Sequence, residues 1–73
     1  MNALLNEIKK EFGSLELSFR YSKRVCVIHI RNAYSMPLIA ELLETIAKHE
    51  FSYSANFEKL AAKIVEVRIK NEG

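Results

Sequence analysis

The nine residues Arg24-Val25-Cys26-Val27-Ile28-His29-Ile30-Arg31-Asn32 leave a chain of this size few choices. The run is rich in β-branched residues, contains no Gly or Pro, and is apolar on both alternating faces. Such a pattern predicts a central strand, covered fully on one side and partly on the other. The residues just before it alternate more strictly. Leu15, Leu17, Phe19 and Tyr21 share one face, and Glu16, Ser18, Arg20 and Ser22 share the other, which is the pattern of a half-buried strand. Little chain separates the two runs, so they form a hairpin. If Cys26, Ile28 and Ile30 continue the core face, Tyr21 opposes Cys26, Phe19 opposes Ile28 and Leu17 opposes Ile30. The loop then holds an even number of residues, Lys23-Arg24 or Ser22 to Val25. No Asn-Gly is present for a tight primed turn, which favours the longer loop. On the outer face the same register sets Glu16 against Arg31, Ser18 against His29 and Arg20 against Val27. The first of these is expected to be a cross-strand ion pair.

Helices flank the hairpin. Leu4, Leu5, Ile8 and Phe12 recur at helical spacing, predicting a helix over 2–12 with Asn2 as its cap and Gly13 as the left-handed residue after its end. Ser35 and Pro37 suit a helix start, and Ile39, Leu42, Leu43, Ile46 and Ala47 form a buried stripe over 35–49. Within that helix Glu44 and Lys48 make an i,i+4 pair, and His49 favours the dipole at its end. Residues 50–62 carry two patterns. Phe51, Tyr53, Ala55 and Phe57 alternate as a strand does, while Phe57, Leu60, Ala61 and Ile64 have helical spacing. The expectation is a short extended piece to Ala55 followed by a helical turn. Residues 63–70 are a strand with Val65, Val67 and Ile69 toward the core, and residues 71–73 are a frayed end.

The fold class is therefore α+β. The order α-β-β-α-(short strand or helical turn)-β places two helices on one face of a three-stranded, mainly antiparallel sheet, as a two-layer sandwich. This order resembles a ferredoxin-like fold lacking its first strand, a likeness of topology that carries no function.

At 73 residues the expectation is one domain, 1–73, with no linker or internal repeat. A chain this short buries only about 60% of its unfolded surface. Disulfides and structural zinc are the usual remedies, but Cys26 is the single cysteine and only His29 and His49 accompany it. Self-association, as a homodimer, is expected instead. The sequence contains no Asp, which removes aspartate clusters for Mg²⁺ or Ca²⁺ and the Asp of a Ser-His-Asp triad. Its two glycines form no phosphate loop. No metal, cofactor or small-molecule substrate is expected. There is no apolar run long enough for a bilayer and no signal-peptide pattern. With an unpaired cysteine in a strand, the expected setting is the cytoplasm.

Charge is uneven. Arg20, Lys23, Arg24 and Arg31 stand in 17–40 with no acid, a net +4, while 41–58 holds four Glu against Lys48, a net −3. If both helices cover one face, the other is left open, with Arg20, His29, Arg31, Arg68 and Lys70 on it and Lys23 and Arg24 at the hairpin tip. Such an array neutralises phosphates without reading bases. By parity Phe19 and Tyr21 face the core, so stacking of single-stranded bases is not expected and charge alone carries the contact. The bland alternative is a solvated face, with Glu16 and Glu66 pairing off two arginines. Val25, Val27 and Ile64 share this face and are the candidate centre of a dimer interface, with an edge strand as a second route.

Other chemistry is thin. Cys26 reads as a core residue. His29, three residues on, lies on the opposite face and cannot serve it as a base. Tyr34, Tyr53, Phe51 and Phe57 read as packing around the second helix. The expected function is thus a non-enzymatic binding module, homodimeric, that contacts an acidic partner, nucleic acid (DNA or RNA) foremost. A protein–protein adaptor or accessory subunit without nucleic-acid binding is the alternative.

Overall fold

A computed structural model describes residues 1–70; the frayed end expected for 71–73 lies outside the described residues. The elements are helix α1 (Asn2–Glu11), strands β1 (Leu17–Tyr21) and β2 (Val25–Ile30), helix α2 (Met36–Lys48), strand β3 (Ser52–Asn56), a 3₁₀ turn (Leu60–Ala62) and strand β4 (Val65–Lys70). The sheet has four strands, not three, in the order β1-β2-β4-β3, and every neighbouring pair is antiparallel. Residues 50–62 supply both the strand and the helical turn between which their pattern wavers. Being antiparallel to β4 on either side, β2 and β3 run parallel to each other, and α2 makes the crossover between them. The last strand thereby takes the central place left by the missing first strand of the ferredoxin-like order.

The hairpin register is the one the alternation predicts. Leu17 pairs with Ile30, Phe19 with Ile28 and Tyr21 with Cys26. Residues 22–25 lie outside this ladder, closed by the Ser22 N–H donating to the Val25 carbonyl at 2.9 Å. On the core face Cys26, Ile28 and Ile30 meet Ile69, Val67 and Val65. All six are buried, together with Leu4, Leu5 and Ile8 of α1 and Ile39, Leu42 and Ile46 of α2, in one apolar cluster. Both helices thus cover the same face of the sheet. The Lys9 ammonium lies 5.0 Å from the centre of the Phe19 ring, where α1 crosses β1.

Helix ends depart from expectation in instructive ways. Ser35 does cap α2, its Oγ accepting from the Leu38 N–H at 3.4 Å, with Pro37 in the first turn. Asn2 does not cap α1: it lies inside the helix, after Met1, and no side-chain cap bond forms. Gly13 has no positive φ, and Phe12 ends the helix by donating its N–H to the Ile8 carbonyl. The left-handed positions fall on Glu50 (φ 63°) and Lys63 (φ 61°). Glu50 terminates α2 in a Schellman arrangement. Its N–H reaches the Ala47 carbonyl at 2.9 Å, and the Phe51 N–H reaches the Ile46 carbonyl at 3.4 Å. The partly buried Phe51 ring then joins the core, an apolar gain that offsets the steric cost of a left-handed residue bearing a Cβ.

Two expected ion pairs do not form. Arg31 and Glu16 meet only through the backbone, the Arg31 N–H donating to the Glu16 carbonyl at 3.0 Å. Among the described residues Arg68 and Glu66 form an ion pair and His49 lies within hydrogen-bonding distance of Glu7, while Glu44 and Lys48 form no ion pair. His49 reaches across instead: its Nε2 lies 3.2 Å from Oε1 of Glu7, joining the end of α2 to α1.

Candidate functional site

With both helices on the other side, the outer face of the sheet has no cover. Register places its side chains in rows that cross all four strands. One row is Arg20, Val27, Arg68 and Ser54; the next is Ser18, His29, Glu66 and Asn56. Toward the hairpin tip follow Val25, Lys70 and Ser52. Arg20 and Arg68 therefore stand on the same face, on either side of Val27. Lys23 and Arg24 occupy the hairpin loop beyond that end of the sheet, and Arg31 follows the opposite end of β2. Arg20, Lys23, Arg24, Arg31, Arg68 and Lys70 are all exposed, and His29 is half-buried.

The acids on this face are few. Glu66 is held by its own strand neighbour, with Arg68 Nε 3.2 Å from its Oε1. That pair is exposed, so its net strength is small and salt weakens it further. Among the described residues no other ion pair engages a cation of this face. The electrostatics are those of a shallow positive surface, strongest toward the hairpin.

The same rows separate the three residues proposed as a dimer patch. Val25 and Val27 are close along β2. Ile64 precedes Val65, the partner of Ile30, and so lies at the far end, beyond the His29–Glu66 row. Shared parity puts these three on one face but does not make them contiguous. A barer surface is the free edge of β3, Ser52-Tyr53-Ser54-Ala55-Asn56, which carries no charge, no Pro and no bulge against β4.

Sequence reasoning missed the exposure of two aromatics. Tyr21 has core parity, yet it is 59% exposed at the sheet's end beside the basic loop. Phe57 follows β3 and is 39% exposed. It lines a groove of about 470 Å³ with Ser54, Asn56, Glu66 and Arg68 of the outer face. Two depressions, both more enclosed than this open groove, continue from it past His29 to Arg20 and Arg31, so a track crosses the sheet from β3 to β1. The one available signal was Asn56, whose Oδ1 accepts the Glu58 N–H at 2.8 Å and turns the chain at that point.

Cys26 is buried on the core face, and burial pushes its thiol up, against a smaller opposing pull from the Lys9 ammonium. A thiol reagent at mildly alkaline pH should label the native chain only as fast as it opens. Rapid stoichiometric labelling without denaturant would show that Cys26 is accessible and the core misassigned. Among the described residues no three His, Cys or Glu side chains gather as metal ligands, and no helix is long and apolar enough to cross a membrane.

The chain matches no protein-family model, no curated protein and no solved structure.

Proposed function

We propose that this chain is a non-enzymatic binding module whose basic hairpin and outer sheet face contact the phosphate backbone of nucleic acid. The carrying observation is the set of six exposed cations, Arg20, Lys23, Arg24, Arg31, Arg68 and Lys70, of which only Arg68 has an acidic partner among the described residues. Unpaired cations on an uncovered face neutralise phosphates at little desolvation cost, and counterion release supplies the free energy. We also propose a homodimer, joined through the edge of β3 rather than through the Val25, Val27 and Ile64 patch. Edge pairing takes place in the plane of the sheet, so it would leave both outer faces open and join them into one surface.

The test is binding of labelled duplex and single-stranded oligonucleotides by the intact chain across a salt series. If all six cations engage, log K should fall against log salt with a slope of about −4 to −5. Absence of measurable affinity at the lowest salt overturns the proposal. The uncharged β3 edge favours one further reading, a protein–protein adaptor with no nucleic-acid role. Mass in solution separates the two: a dimer whose mass is indifferent to added oligonucleotide supports the adaptor.

A further inference from the structure

Building on the nucleic-acid reading, we infer that the groove beside Phe57 is a base-stacking subsite, and that the strand this face takes is single. The groove holds about 470 Å³, within the range of a small-ligand site and far too small for a duplex. Its lining includes the aromatic residue Phe57, which is 39% exposed and is not packed against the core. A base stacks on such a ring whatever its sequence, but only when it is free of a partner strand.

The polar lining offers hydrogen-bond partners to a base. Asn56 spends its carbonyl oxygen on the Glu58 N–H, which leaves its amide NH₂ to donate. Ser54 adds a hydroxyl, and the carboxylates of Glu58 and Glu66 accept from exocyclic amines. Glu66 is already paired with Arg68, whereas Glu58 is in no ion pair among the described residues and disfavours an anion beside it. The phosphates are then directed to the Arg68 side of the lining and along its row to Arg20 beyond Val27. Base on the Phe57 and Asn56 side and charged backbone on the Arg68 and Arg20 side is the division the side chains make. Four strands set the track's length at about 14 Å from β3 to β1. A flexible single strand can follow it with one base turned down onto Phe57.

The experiment uses the intact chain at low salt, with labelled oligodeoxycytidine, oligocytidine, a duplex, and an abasic oligodeoxynucleotide of the same length. The base-bearing single strands should bind roughly ten-fold more tightly than the abasic strand. Phe57→Leu should remove that advantage while leaving the salt slope unchanged, and Phe57→Tyr should retain it. The backbone bond from the Leu60 N–H to the Phe57 carbonyl, 3.1 Å, does not depend on the side chain, and circular dichroism checks that each variant folds. The tighter of the deoxycytidine and cytidine strands, which differ only in the 2′-hydroxyl, identifies DNA or RNA as the source. The inference is overturned if the abasic strand or the duplex binds as well as the base-bearing strands, a comparison that needs no variant. It is also overturned if a folded Phe57→Leu chain keeps the full advantage. Failure of every probe to bind would sink the nucleic-acid reading itself, which is a different result.

Discussion

Replacing Ile28 by alanine should destabilise the chain by about 2–5 kcal/mol, while replacing its neighbour Val27 by threonine should cost under about 1 kcal/mol. Ile28 is fully buried at the centre of the sheet, with Phe19 on one side and Val67 on the other. Truncation removes apolar contacts there and leaves a cavity that paired strands cannot close. Val27 is on the other face, half-buried between Arg20 and Arg68, where a hydroxyl finds water. A domain of 73 residues has only roughly 4–11 kcal/mol of stability in all, so the first change removes a large part of it. In thermal unfolding the midpoint should fall by on the order of 10–30 °C for Ile28→Ala and by a few degrees for Val27→Thr. Equal losses at the two positions would mean that the outer face is covered, and with it the proposed binding surface would disappear.

Replacing Arg20, Lys23 and Arg24 together by glutamine should weaken oligonucleotide binding about a hundred-fold at low salt and flatten the salt slope by about 2–3. All three side chains are exposed, and none is in an ion pair among the described residues. Their removal therefore takes nothing from the fold, and the unfolding midpoint and solution mass should stay as they are. Unchanged affinity in the triple variant would show that the hairpin is not part of the contact. A loss of affinity together with a change in mass would mean that the hairpin holds the assembly, which favours the adaptor reading. This variant and Phe57→Leu read different quantities: the first changes the salt slope, and the second leaves it alone.

The central hairpin was legible because its evidence is local and redundant. Leu17, Phe19 and Tyr21 alternate with polar residues, and the β2 run admits no helix start or turn. Once Cys26, Ile28 and Ile30 are assigned to the core, a two-residue period leaves one register that hides both sets. The same parity placed Arg20, His29, Arg68 and Lys70 on the outer face. What parity does not supply is the row. Val25, Val27 and Ile64 share a face, yet the β2–β4 register puts Ile64 beyond the His29–Glu66 row from the two valines. That register joins residues some forty positions apart in the chain, and no short window contains it.

β3 was the weakest element in the sequence for a related reason. Ser, Ala and Asn have low strand propensity, so Ser52–Asn56 is a strand chiefly because β4 offers it a ladder. Glu50 and Lys63 hide their turns, since glycine is the usual mark of a left-handed residue and neither site has one. Tyr21 has core parity and still meets solvent, because parity states which way a side chain points and not whether a helix reaches that far, and Phe57 lies past the end of β3, where the chain turns and parity no longer applies.

Alternation, helical periodicity and the caps at Ser35 and Pro37 are properties of neighbours along the chain. From them alone came the α+β class, the hairpin register and the sign of charge on the open face. The fourth strand, the insertion of β4 between β2 and β3, and the placing of Phe57 and Arg68 on one groove were decided only on folding. Each depends on contacts between distant segments, whose free energy exists once the sheet has closed and has no counterpart in any local stretch.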